Sequence, residues 1–91
     1  MRFAVRMPEA QSIALAGDFN GWRHDQLHMR PAESGRVWTV VVPLRPGRYQ
    51  YMFVVDGHKW LTDPLADSHN DDGFGNRNSV VEVRPAARKA I

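Results

Sequence analysis

The sequence contains no cysteine. That excludes a disulfide framework and thiol chemistry, so the fold must be held by its core; it fits a reducing compartment, and a cytoplasmic location is expected. No stretch reaches the roughly 18 consecutive apolar residues of a membrane helix, so no membrane partner is expected. The opening residues Met1-Arg2-Phe3-Ala4-Val5-Arg6 hold no apolar leader core, and Pro8-Glu9 cuts them off. No secretory signal is expected. No segment sustains the i, i+3, i+4, i+7 spacing of an amphipathic helix. Internal repeats and low-complexity blocks are also missing. Lysine is scarce, with two Lys against ten Arg and a net charge of +2. The Arg are scattered singly, and only Arg84, Arg88 and Lys89 concentrate charge. A pI near 9.5 therefore describes a solvated surface, and nucleic acid is not an expected partner.

The 91 residues make one domain. Such a chain buries only about 60–65% of its unfolded surface, enough for one core but not for a deep enclosed cleft. That points away from an enzyme and toward a surface-binding module. Short apolar runs separated by turn signals read as an all-β sandwich or barrel of about six to eight short strands. The domain is expected over residues 1–83, with 84–91 a tail or linker.

Phe3, Val5 and Met7 alternate in a first strand that Pro8 stops. Ser12 to Ala16 is a second, with Ile13 and Leu15 on one face. Gln26 to Arg30 places Leu27 and Met29 inward, and Pro31 to Gly35 reads as a loop. Arg36 to Val42 is the return arm of a hairpin, with Trp38, Val40 and Val42 on one face and Trp38 in the core. Arg48 to Val55 carries the strongest pattern: Tyr49, Tyr51, Phe53 and Val55 face the core, and Gln50, Met52 and Val54 face away. Lys59 to Thr62 returns after Asp56-Gly57. A long loop follows Asp63-Pro64 to about Asn78, and Ser79 to Val83 closes the sheet with Val81 and either Val83 or Val80 inward.

One stretch organises the rest: Leu15-Ala16-Gly17-Asp18-Phe19-Asn20-Gly21-Trp22. An apolar strand runs into a Gly/Asp/Asn turn, and a large ring stands just past it. The core can be built without Trp22, so the ring is a candidate platform for a sugar chain, with Asn20 shaping the turn. Trp60 is the candidate second wall, but the register of the Asp56-Gly57 hairpin decides it. A two-residue turn pairs Phe53 with Trp60 and puts the ring in the core. A three-residue loop pairs Val54 with Trp60 and puts it beside Met52 on the outer face, because a slip of one residue flips every side chain. Local turn chemistry leans to the shorter form and leaves both open.

These pieces occur in a familiar order: Ala16-Gly17-Asp18-Phe19-Asn20-Gly21-Trp22, Leu44-Arg45-Pro46-Gly47-Arg48-Tyr49-Gln50-Tyr51, Phe53-Val54-Val55-Asp56-Gly57, Trp60, Asp63-Pro64 and Asn78-Ser79-Val80-Val81. From about residue 3 to 83 the chain resembles the glycogen- and starch-binding modules of the isoamylase N-terminal (early set) type, including the glycogen-binding domain of the AMP-activated protein kinase β subunit. The resemblance implies an immunoglobulin-like antiparallel β-sandwich that binds α-1,4-glucan such as glycogen or maltooligosaccharide without catalysis. It implies stacking on glucose by Trp22 and Trp60, and hence the longer hairpin loop. It further implies that Phe74, Asn76 and Asn78 wrap the glucan, and that a glycogen-metabolising enzyme or a kinase is a partner. The chain departs from the pattern at Met52, where a basic residue usually hydrogen-bonds the sugar; Lys59 and Arg77 are the candidates to compensate.

The residue types suit the ligand. A glucose ring has an apolar C–H face and a hydroxyl rim; an aromatic ring covers the face, and neutral amides satisfy the rim. Two aromatic planes set at an angle match a curved α-1,4 chain. A dissociation constant between roughly 1 μM and 1 mM is expected. The alternative is a protein-docking or structural sandwich with weak or lost sugar binding, which Met52 motivates. In that case Trp22 is a lid, Phe74 a plug, and Asn76 and Asn78 turn formers.

Other chemistry fits poorly. Placing Gly73 at the sixth position of a calcium loop puts Ser68 first and Ser79 twelfth, where carboxylates are needed. The acidic run through Asp71-Asp72-Gly73 is therefore a solvated turn. The four His do not share a ligand pattern, so no metal or other cofactor is expected. No Ser occupies a nucleophile elbow, and the Asp residues lie in turns without a cleft for paired-carboxylate hydrolysis.

Overall fold

The computed structural model describes residues 1–32, 35–71, 73 and 77–85. The expected tail falls largely on 86–91, outside the described residues. Among the described residues nine strands run in chain order: β1 (Arg2–Arg6), β2 (Ile13–Gly17), β3 (Leu27–His28), β4 (Arg30–Ala32), β5 (Val37–Val41), β6 (Gly47–Val55), β7 (Lys59–Leu61), β8 (Ser68–Asp71) and β9 (Arg77–Val83). All pairings are antiparallel. A small sheet has the order β1-β5-β4, and a large one the order β3-β2-β6-β9-β8, with β7 added on β6. The sheets face each other as a sandwich.

The core is the inner alternation of both sheets. Phe3, Trp38 and Val42 from the small-sheet side meet Ile13, Leu15, Tyr51, Phe53, Val55 and Val81 from the large sheet. Phe53 and Leu15 are cross-strand partners with no exposed surface. Rings pack edge to face, Phe3 on Tyr51 at 5.0 Å and Tyr51 on Phe53 at 5.9 Å between centroids, the arrangement aromatic quadrupoles favour. The Trp38 indole N–H donates to the Met7 carbonyl at 3.0 Å, which satisfies the polar atom of this core ring.

A buried polar hub ties the large sheet to the segment after β7. The Tyr51 hydroxyl donates to Asp63 Oδ2 at 2.6 Å. The Asp63 backbone N–H donates to Ser79 Oγ at 2.7 Å, and His69 Nε2 donates to the Asp63 carbonyl at 2.8 Å. Burial first, and then the bond to Asp63, push the Tyr51 phenol above its ordinary value; it stays a neutral donor. Each buried group has a partner, which is the condition for such a network to hold a fold.

Three expectations change. The segment through Leu27 and Met29 is not one strand: β3 pairs with β2 in the large sheet, and β4 pairs with β5 in the small one. Met29 sits buried at the crossover. Pro31 and Ala32 are thus strand, not loop; Pro31 is tolerated because β4 is an edge. The stretch after Asp63 is not a single loop, because the polar segment Ser68–Asp71 pairs along β9.

Candidate functional site

The turn after β2 sends two rings in opposite directions. Asp18–Asn20 forms one turn of 3₁₀ helix, followed by Gly21 and Trp22 at φ 66° and 62°. A non-glycine residue in the left-handed region carries strain, and Asn20 holds it there. Asn20 Oδ1 accepts from the Gly17 N–H at 3.0 Å, while Nδ2 donates to the Leu15 and Arg23 carbonyls at 3.3 and 3.0 Å. The Trp22 N–H donates to the Gly17 carbonyl at 2.9 Å. Asn20 therefore shapes the turn, as expected. Gly17 is demanded by space: a Cβ there would stand 2.6 Å from the Gln50 carbonyl oxygen and 2.7 Å from the Phe19 ring. Phe19 turns inward against Phe3 and Tyr49, at 5.8 and 6.1 Å between centroids. Trp22 turns outward and packs on Ala14, Ala16 and Val54.

That packing explains β2. All five of its residues are buried, although only Ile13, Leu15 and Gly17 face the other sheet. Ala14 and Ala16 face out, and their small side chains leave a seat for the indole. The outer side of a sheet is usually polar and solvated; here a ring covers it, and Val54 is 1% exposed.

The hairpin register is resolved. Val54 pairs with Trp60 and Val55 with Lys59. Asp56 and Gly57 take the left-handed conformations, φ 53° and 79°, of a tight Asp-Gly turn. The His58 N–H closes it to the Val55 carbonyl at 3.2 Å. The turn chemistry is thus the expected one, but His58 is an extra residue before the ladder resumes at Lys59. Asp56 Oδ1 fastens this loop by accepting the N–H groups of Gln11 and Ser12 at 2.8 and 3.0 Å. The extra residue turns Trp60 to the outer face, where it is 40% exposed. His24, two residues beyond Trp22, meets its ring edge to face at 6.2 Å and 74°.

Register carries the same face across the sheet. Val54 has Ala14 on one side and Trp60 on the other, and Met52 has Ala16 beside it. Asn78 pairs with Asn70, and Gln50 pairs with Val80. Trp22, Trp60, Met52 and Asn78 therefore share one outer face, with Met52 half-buried at its middle. Along β6 from Val54 to Gln50 that face runs about 13 Å at the usual strand rise. Phe74 and Asn76 lie outside the described residues, as does Asp72 of the acidic turn. Lys59 is a correction. Paired with Val55, it points to the other side of β7 from Trp60 and lines a separate cleft with Met7, Glu9, Ala10, Val55, Asp56 and Leu61. Period-two alternation, not distance along the chain, excludes it from the Trp face. Arg77 likewise alternates away from Asn78.

Sequence reasoning missed two residues of this face. Gln50 Oε1 accepts from Asn70 Nδ2 at 3.2 Å and from Asn78 Nδ2 at 3.1 Å. The outward parity of Gln50 was available as a signal. Asn70 gave none, because its strand reads as loop. Among the described residues no group of three or more His, Cys, Asp or Glu is placed to hold a metal ion, and no helix is long and apolar enough to cross a membrane. The face can offer two apolar planes and a row of neutral donors and acceptors.

Residues 4–89 match the family described as the glycogen recognition site of AMP-activated protein kinase. The chain belongs to that family. Relatives include protein PTST homolog 2, chloroplastic, of Arabidopsis thaliana, 36% identical over 72 residues, covering 79% of this chain and 13% of the relative. The 1,4-alpha-glucan branching enzyme GlgB of Nitratidesulfovibrio vulgaris is 43% identical over 67 residues, 72% of this chain and 10% of the enzyme. GlgB 1 of Rhizobium etli is 34% identical over 85 residues, 93% of this chain and 11% of the enzyme. The chain thus spans about a tenth of the length of these relatives. As a member of a carbohydrate-binding family of this size, it is a binding module and not itself an enzyme.

Proposed function

We propose that the outer face of the large sheet binds α-1,4-glucan chains of the glycogen or starch type. The observation that carries this reading is the disposition of two rings about Val54: Trp22 packed on it through the turn, and Trp60 opposite it through the hairpin. The rings cover sugar C–H faces, and the carboxamides beside Met52 meet the hydroxyl rim. The family resemblance adds Phe74 and Asn76 to this proposed site. Met52 adds an apolar, adaptable contact where a charge would otherwise stand. The site is preformed on strands, and it exposes neutral groups that gain little per contact, so a dissociation constant between roughly 1 μM and 1 mM is expected. The branching-enzyme relatives support a further reading: the module accompanies a glycogen-metabolising enzyme and brings it to its polymer in the cytoplasm.

Isothermal titration with maltoheptaose and β-cyclodextrin tests the function. Saturable binding in the stated range, competed by soluble glycogen, is the expected result. No heat at millimolar sugar, with a folded chain and a tight protein partner in a pull-down, would replace it with the docking reading.

A further inference from the structure

The carboxamide cluster on this face has a built-in direction. Gln50, Asn70 and Asn78 come from β6, β8 and β9, and one atom, Gln50 Oε1, accepts from both asparagine Nδ2 groups. Each carboxamide has one oxygen and one NH₂ group. A shared acceptor therefore fixes which way both asparagines face. Turning either amide by 180° would set oxygen against oxygen. Each asparagine commits one N–H to Gln50 and directs its own Oδ1 away from it. Gln50 is itself held by the element that carries Trp22, because its backbone N–H donates to Asp18 Oδ2 at 2.8 Å. One 3₁₀ turn thus anchors both the ring and the residue that orients the amides.

We propose that Gln50 is a positioning residue of the glucan face: its carbonyl sets Asn70 and Asn78 so that their carbonyl oxygens accept from sugar hydroxyls. The role rests on the glucan reading above and adds Gln50 and Asn70 to the site.

The substitutions Gln50→Ala and Gln50→Glu separate positioning from direct contact. A carboxylate at 50 keeps an acceptor for both asparagines but loses the NH₂ that Gln50 could offer a sugar. Maltoheptaose titration of the chain should show Gln50→Ala weakened about 5- to 10-fold and Gln50→Glu within about 2-fold of the native chain. Asn70→Ala should weaken binding by about 3- to 10-fold. The side-chain amide ¹⁵N–¹H signals of Asn70 and Asn78 should hold in Gln50→Glu and move in Gln50→Ala, with thermal melts verifying that each variant is folded. Native binding with an unaffected Gln50→Ala overturns this role alone. Gln50→Glu as weak as Gln50→Ala overturns it in favour of a direct contact by Gln50 Nε2. A native chain that binds no maltoheptaose overturns the glucan reading and this role together.

Discussion

The two outer faces of the sandwich are built by the same alternation and carry opposite chemistry. On the small sheet the outward rows are Arg2 with Val41, Ala4 with Thr39 and Arg30, and Arg6 with Val37 and Ala32. They hold three guanidinium groups and no ring. On the large sheet the outward rows hold Ala14, Ala16, Met52, Val54, Trp60 and the carboxamides, with Trp22 laid over them. On the small sheet, outward positions carry charge beside small and β-branched residues. The large sheet departs from that in a specific way: two of its outward positions, Ala14 and Ala16, are small and apolar, and the Trp22 ring sits on them and on Val54. The departure coincides with the proposed site.

The sharpest way to test the contrast is to remove each ring in turn. Trp22→Ala has the largest expected effect, because Trp22 covers Ala14, Ala16 and Val54 and is also one wall of the site. Stability should fall by about 2 kcal/mol, read by chemical denaturation, and maltoheptaose binding should fall by about 2 kcal/mol, or roughly 30-fold. Trp60→Ala should lose a similar share of binding while its melting temperature stays within about 2 °C, since the ring is largely outside the core. Equal destabilisation by both would erase the distinction between a ring that builds the face and one that only serves it.

Gly17→Ala comes next. Its Cβ would clash with the Gln50 carbonyl oxygen and the Phe19 ring, which should cost about 1–3 kcal/mol of stability and weaken binding through displacement of the Trp22 turn. Replacing Arg2, Arg6 and Arg30 by Gln should leave maltoheptaose affinity within about 2-fold, since those charges lie on the opposite face. The smallest effect is a pH dependence. The backbone N–H of Ser12 first, and that of Gln11 second, hold the Asp56 carboxyl below its ordinary value of 3.8. A carboxyl with a lower value in the folded chain adds stability above about pH 4 and loses it as pH falls through the folded value. Asp56→Asn should flatten the acid limb of a melting-temperature profile, and at neutral pH it should loosen the hairpin that aims Trp60.

Much of the fold was legible because strong alternation leaves little choice. Tyr51, Phe53 and Val55 face inward as their pattern requires, and Gly17 to Trp22 forms the turn its composition implies. Trp60 was ambiguous for a physical reason. Asp56-Gly57 does form the tight turn favoured locally, and the outcome rests on one added residue, His58, together with a clamp from Gln11 and Ser12 more than 40 positions away in sequence. Lys59 lies on the opposite side of β7 from Trp60 because neighbours along a strand alternate. The strands Arg30–Ala32 and Ser68–Asp71 were hidden by Pro31 and by polar composition; both lie at sheet edges, where pairing needs no apolar pattern. Gln50 and Asn70 emerge only once β8 is paired on β9.

The central claim is that one face, and not the other, is the sugar site. Mapping ¹⁵N–¹H shifts while titrating maltoheptaose tests it most directly. The account predicts shifts at the Trp22 and Trp60 indole N–H groups and at the Asn70 and Asn78 amides, with Arg2, Thr39 and Val41 unmoved. Shifts concentrated on Arg2, Thr39 and Val41, or indole signals that do not move at saturating sugar, would contradict it.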